Sequence, residues 1–160
     1  MRWLMRITVS LLLLALIGVG YQMVGMMTDQ EQYLPPGELI DVGGHALHLY
    51  CTGEGSPTVV LEAMGTGWSV YWEKVQPELS KTTRVCSYDR AGFGWSESGP
   101  LPRTGAQMAE ELHQLLTGGG ISGPYVLVGH SLGGFVARLY RHAHPEEVAG
   151  IVLVDAGHER

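Results

Sequence analysis

The sequence predicts an α/β fold, with an antiparallel hairpin running into a mostly parallel sheet flanked by helices and a membrane-spanning helix ahead of it all. Three observations predict this. Residues 7–27 carry no charge and are dense in leucine from Leu11 to Leu16. Two runs of alternating polar and apolar residues, Glu38 to Val42 and His45 to Tyr50, flank Gly43-Gly44, a hairpin signal. From Thr58 onward, short apolar runs alternate with longer segments of helical periodicity, the pattern of strands joined by crossover helices.

The uncharged stretch is long enough to cross the hydrocarbon core of a bilayer as a helix. Arg2 and Arg6 precede it, and Asp29 and Glu31 follow it. This bias places the N-terminus in the cytoplasm and the remainder outside. A cleaved signal peptide is the competing reading, with Gly18-Val19-Gly20 as its small-residue site. Apolar character continues through Met23, Val24, Met26 and Met27, which favours a retained single-pass anchor over a secreted or periplasmic product. The expected organisation is therefore an anchor over 1–28, a linker over 29–37 containing Pro35-Pro36-Gly37, and one domain over 38–160.

Within that domain, Thr58 to Glu62 reads as a buried strand, followed by the loop Ala63-Met64-Gly65-Thr66-Gly67 and a helix from about Trp68 to Leu79. Pro77 suggests a kink or an early stop. Trp68, Tyr71 and Trp72 either pack in the core or line a substrate entrance, and packing is the plainer expectation. Thr83 to Tyr88 is a further strand that opens into Asp89-Arg90-Ala91-Gly92-Phe93-Gly94-Trp95-Ser96. Arg103 to Leu116 is amphipathic, with Met108, Leu112, Leu115 and Leu116 on one side and Glu110, Glu111 and Gln114 elsewhere. His45 and His48 are expected on the solvent or polar side of the hairpin.

Composition narrows the function. Ten basic and 16 acidic residues give a formal net charge of −6, and no basic stripe interleaved with aromatics is present, so nucleic acid is not the expected partner. The Gly118-Gly119-Gly120 run lacks a following lysine and leads into a strand, which argues against a phosphate cradle. Neither Cys51 nor Cys86 sits in a Cys-x-x-Cys pair. The sequence points to no cofactor and to no metal.

The chemistry concentrates in Tyr125-Val126-Leu127-Val128-Gly129-His130-Ser131-Leu132-Gly133-Gly134. An apolar strand ends in Gly-x-Ser-x-Gly, where a chain would turn sharply into a helix. Such a turn exposes the serine hydroxyl, and the glycines let the backbone pass. The pattern alone is weak in a chain with 23 glycines. Its surroundings strengthen it: Phe135, Val136, Leu139 and Tyr140 recur at helical spacing, Pro145 ends the helix, and Val148 to Asp155 reads as another buried strand.

Taken together, the hairpin, the Leu61-Glu62-Ala63 strand end, the Tyr88-Asp89-Arg90-Ala91-Gly92-x-Gly94-x-Ser96 loop and the serine turn resemble the N-terminal half of an α/β-hydrolase, in particular its exported or membrane-anchored bacterial-type members. The resemblance implies that Ser131 attacks an acyl carbon of a small-molecule ester. It also implies that the backbone N–H groups of Leu132 and Met64 hold the oxyanion. The family's sheet order puts the strands of Cys51 and Cys86 side by side, which raises a disulfide between them. The family's acid and histidine usually follow later strands, so the chain is expected to be truncated before the catalytic histidine. Asp155 is a candidate acid, since some members place the acid at the end of this strand, and His158 a weaker candidate base. The alternative reading is an inactive, membrane-anchored binding module on the same fold.

Overall fold

The structure is a computed structural model that describes residues 2–157, including all side chains there except those of residues 30 and 31. It divides into two compact units, residues 1–35 and 36–160. The first is a helix, α1 (Arg2–Gln32). Residues 2–29 of α1 are long and apolar enough to cross a membrane, and their side chains are exposed almost throughout. At 1.5 Å per residue, the uncharged stretch 7–27 is about 30 Å long, the thickness of a hydrocarbon core.

In the second unit the elements run β1 (Glu38–Asp41), β2 (Ala46–Thr52), β3 (Thr58–Glu62), a 3₁₀ turn (Ser69–Trp72), α2 (Gln76–Leu79), β4 (Val85–Tyr88), α3 (Gly105–Gly118), β5 (Tyr125–His130), α4 (Leu132–Ala143), a second 3₁₀ turn (Pro145–Glu147) and β6 (Val148–Val154). The six strands form one sheet in the order β1-β2-β4-β3-β5-β6. β1 and β2 pair antiparallel, as do β2 and β4, whereas β4, β3, β5 and β6 run parallel. The hairpin turns at Gly43 (φ +94°) and Gly44 (φ +108°), conformations a side chain would strain. The Asp41 carboxylate accepts both of their N–H groups at 2.7 and 2.9 Å.

Strand alternation sends side chains to two faces. One face carries Leu47, Leu49, Val60, Cys86 and Leu127, which form the main core with Leu112, Leu115 and Leu116 of α3 and Val136, Ala137 and Tyr140 of α4. The other face carries Leu61 and Val85, packed with Trp72. Thr104 caps α3, accepting the Gln107 N–H at 3.2 Å.

Cys51 and Cys86 are direct cross-strand partners on β2 and β4 and form a disulfide, with Cα atoms 4.1 Å apart. The adjacency drawn from the resemblance is therefore found.

Several expectations are corrected. The segment after β3 is no continuous helix over 68–79 but a 3₁₀ turn and a single α turn, in which Pro77 lies at the start of α2. A proline there has no N–H to lose, so it begins the turn rather than kinking it. Trp72 packs in the core, whereas Trp68 is half-buried and Tyr71 exposed. The strand expected to be buried at Val148 is the last of the sheet among the described residues, and Val152, Leu153 and Val154 are exposed there. Glu111, off the apolar side of α3, is buried too, held by Nη1 and Nη2 of Arg103 at 2.5 and 2.6 Å. His45 and His48 are buried as well, for reasons set out below.

Candidate active site

Ser131 sits between the last residue of β5 and the first of α4, with φ +53° and ψ −115°. That region is almost closed to residues with a Cβ, so the conformation is held by what surrounds it. The Ser131 N–H donates to the Val154 carbonyl at 3.1 Å, and its own carbonyl accepts the Gly134 N–H at 3.1 Å. Three glycines allow the crossing. A Cβ at Gly129 would stand 2.5 Å from Gly134 Cα, and one at Gly133 would stand 2.4 Å from the Glu62 carbonyl oxygen. One at Gly134 would stand 2.4 Å from Ala156 Cβ. The helix can therefore start hard against β3, β5 and the end of β6. Ser131 is exposed at the carboxyl ends of the parallel strands.

The neighbouring loop, Ala63 to Gly67, follows β3. A Cβ on Gly65 would touch the Leu132 side chain at 3.6 Å, so this loop lies against the start of α4. Its shape is set from behind by Arg90. The guanidinium donates to the carbonyls of Ala63 (2.7 Å), Met64, Gly65 (3.2 Å) and Gly67 (3.4 Å). In a trans peptide the C=O and the following N–H point in opposite directions. With the Ala63 and Met64 carbonyls turned to Arg90, the N–H groups of Met64 and Gly65 face away from it.

Arg90 is itself buried, and Glu62 neutralises it. The Glu62 carboxylate accepts hydrogen bonds from Arg90 Nη1 on one oxygen and from the Tyr88 hydroxyl on the other. Burial pushes the Glu62 carboxyl above its ordinary range, against the opposing pull of Arg90 and Tyr88. The Tyr88 hydroxyl is pushed well up, by burial first and then by the carboxylate beside it. Hydrogen bonds to the loop carbonyls and from the Tyr88 hydroxyl help to offset the cost of burying this pair.

A second buried carboxylate organises the loop after β4. Asp89 Oδ1 accepts the Ser69 N–H at 2.7 Å, and Oδ2 accepts the Trp95 N–H at 2.9 Å and lies 3.1 Å from His48 Nδ1. Burial pushes Asp89 up, but the hydrogen bonds from His48 and from the two N–H groups outweigh it and hold the carboxyl below its ordinary value. His48 is thus sequestered against Asp89 and the Trp95 ring, 5.0 Å between centroids. His45 lies inside because its Nε2 approaches Glu111 Oε1 at 3.3 Å. His48 sits on β2 and His45 just before it, at positions that polarity alone assigns to solvent.

A model of the alpha/beta hydrolase fold matches residues 57–159, well over half of the chain. The chain belongs to the alpha/beta hydrolase family. Among relatives of this chain, a vacuolar membrane protein of Saccharomyces cerevisiae is 32% identical over 133 residues, 72% of this chain and 21% of that protein. The solved esterase from Thermogutta terrifontis is 30% identical with a TM-score of 0.68, and the match covers 75% of this chain and 45% of the esterase. The meta-cleavage product hydrolase CumD of Pseudomonas fluorescens is 26% identical with a TM-score of 0.70, covering 78% and 46%. The chain spans less than half the length of the curated relatives it matches.

The structure brings Ser131, Leu132 and the Met64 loop together at the carboxyl end of the sheet. Asp155 follows Val154, whose carbonyl receives the Ser131 N–H, and it too has a positive φ, +44°. Its side chain is exposed. His158 lies outside the described residues. A cavity of about 350 Å³ opens elsewhere, between β2 and the Ser69 to Ser80 segment, and its lining includes Tyr50, Ser69, Gln76 and Trp95. Sequence reasoning missed Glu62, Tyr88 and Arg90 as supports of the loop. Their signal was the strand end Leu61-Glu62-Ala63 and the Tyr88-Asp89-Arg90 loop, which carried the resemblance but not the contact between them.

Proposed function

We propose that this chain is the nucleophile-bearing part of a membrane-anchored serine hydrolase acting on small ester-type substrates. The observation that carries the reading is the backbone of Ser131: a strained, exposed serine at a strand-to-helix turn, closed in by three glycines. Ser131 Oγ is the nucleophile in this reading. The N–H of Leu132, at the first turn of α4, and the N–H of Met64, turned away from Arg90, are the oxyanion donors. A tetrahedral oxyanion would gain from the helix N-terminus as well. Asp155 is the candidate orienting acid; it follows Val154, whose carbonyl accepts the Ser131 N–H.

Several findings support the hydrolase class. The family match, the esterase and the meta-cleavage product hydrolase all belong with hydrolytic chemistry. For the anchor, the support is the apolar span of α1 and the name of the vacuolar membrane relative. The organisation proposed is an anchor over 1–28, a linker over 29–37 and a hydrolase domain from 38 onward, with the domain on the extracytoplasmic side.

A fluorophosphonate probe tests this directly. The wild-type chain in detergent is expected to take up the probe at Ser131, mapped by peptide mass spectrometry, and Ser131→Ala to take up none. Labelling at another serine, or equal labelling of the variant, would overturn the assignment.

A further inference from the structure

We propose that His113, His144 and Glu147, with Glu110 as a fourth arm, form a zinc-type metal site between α3 and the α4–β6 connection. The proposal is independent of the reading of Ser131. The cluster stands where β6 begins, whereas Ser131 follows the end of the parallel strand β5, so the two lie at opposite ends of the sheet.

The residue types and spacing fit. Glu110 and His113 are three apart on α3, and His144 and Glu147 are three apart across the 3₁₀ turn. On the helical backbone of α3 this spacing sends Glu110 and His113 to one side, while Glu147 follows His144 one 3₁₀ turn later, its N–H donating to the His144 carbonyl at 3.2 Å. One donor atom each from His113, His144 and Glu147 lies within 4.8 Å of the others. His113 Nδ1 and Glu147 Oε2 are 3.3 Å apart. That is about the ligand-to-ligand edge of a tetrahedron with bonds of about 2.0–2.1 Å, the bond lengths zinc makes to imidazole and carboxylate. Two imidazoles and a carboxylate suit zinc, cobalt or nickel better than calcium or magnesium, which prefer oxygen ligands throughout.

Two further observations point the same way. His144 Nε2 is buried without a hydrogen bond, and the nearby carboxylate oxygen of Glu110 stands 4.0 Å away. A buried ring nitrogen left without a partner is unfavourable, and an ion would satisfy it. Glu147 is also held in place: the fully buried Tyr140 donates its hydroxyl to Oε2 at 2.5 Å, the kind of outer hydrogen bond that orients a ligating carboxylate. The His113 and His144 side chains keep 29% and 19% of their surface exposed, enough for an ion to enter. Their rings are stacked, 3.9 Å between centroids at 9°. Ring lone pairs lie in the ring planes, so binding requires the two rings to fan apart about their side-chain torsions.

The test uses the full chain in detergent, stripped with chelator and free of any histidine tag. Cobalt(II) is titrated while visible absorption is recorded, and zinc is then measured by competition. One ion per chain is expected, with the absorption bands of a four-coordinate site and a rise in Tm of several degrees. His144→Gln and Glu147→Gln are each expected to weaken binding about tenfold or more. In the wild type, cobalt should broaden the ring resonances of His113 and His144 and spare those of His45 and His48. The NMR arm needs no variant to fold. Absence of cobalt bands, broadening centred on other histidines, or unchanged affinity in folded variants would overturn the site. Fluorophosphonate labelling of Ser131 is expected to be the same with and without metal.

Discussion

Ser131 occupies a backbone region that suits glycine, and its hydroxyl is exposed there at a cost in stability. Strain of this kind costs about 1–3 kcal/mol, while glycine loses somewhat more entropy on folding than a residue with a side chain. Ser131→Gly is therefore expected to raise the unfolding free energy by about 1 kcal/mol while abolishing probe labelling. Urea unfolding checks this, and a destabilised variant would show that the turn is not strained. Asp89 gives a pH signature. Its folded carboxyl titrates below the ordinary 3.8, so between the two values the unfolded chain binds more protons than the folded one. The stability it contributes is present above its ordinary value and is lost as pH falls through the lowered one. Asp89→Asn should thus be less stable at neutral pH, with a shallower fall in Tm on acidification. Equal acid slopes in both proteins would remove Asp89 from the account. These residues were unequally legible in the sequence. Ser131 is readable because its turn demands glycines at fixed offsets. His48, Asp89, Glu62 and Arg90 were not, because a buried charge differs from an exposed one only in partners distant along the chain.

Among elements, the β5–α4 unit was the most legible and is the most tightly constrained. The start of α4 passes so close to β3 that the Cβ of alanine at 133 would stand 2.4 Å from the Glu62 carbonyl oxygen and 2.7 Å from that of Ala63. Backbone cannot yield as a side chain does. Gly133→Ala is expected to destabilise by about 2–3 kcal/mol and to slow probe labelling by displacing the Leu132 N–H. Thermal unfolding and labelling rates measure both effects, and a variant as stable as wild type would contradict the close approach. The segment after β3 was misread as a helix because apolar residues at 68, 71, 72, 75 and 79 mimic helical spacing. Pro77 falls within that spacing, however, and Asp89 takes the Ser69 N–H, so the chain forms two short turns. At β6, periodicity signalled a buried strand, since an apolar run shows that a strand forms but not what lies beside it.

For the whole molecule, the sheet is secured across its change of direction by the Cys51–Cys86 disulfide, which joins the antiparallel hairpin to the parallel strands. It closes a loop across a sequence separation of 35, worth about 3–4 kcal/mol on chain-entropy grounds. Full reduction is therefore expected to lower Tm by about 10 °C for a domain of this size, as followed by circular dichroism with and without dithiothreitol. An unchanged Tm would mean that the bond adds nothing to the strand pairing. The adjacency of β2 and β4 followed from the family resemblance rather than from spacing, because pairing partners are chosen by three-dimensional neighbours. Arg90 has a consequence in time as well as in space. It lies just past β4, Glu62 ends β3, and the carbonyls that Arg90 gathers belong to the loop between those strands. Until β4 has docked beside β3, the guanidinium has no carboxylate to enter with, and the loop has nothing to turn its carbonyls inward. Emerging from its synthesis, the chain carries its serine without the loop shape that the proposed oxyanion site needs. On the proposed reading of Ser131, competence arrives only with the finished sheet, so an unassembled chain is protected from its own nucleophile.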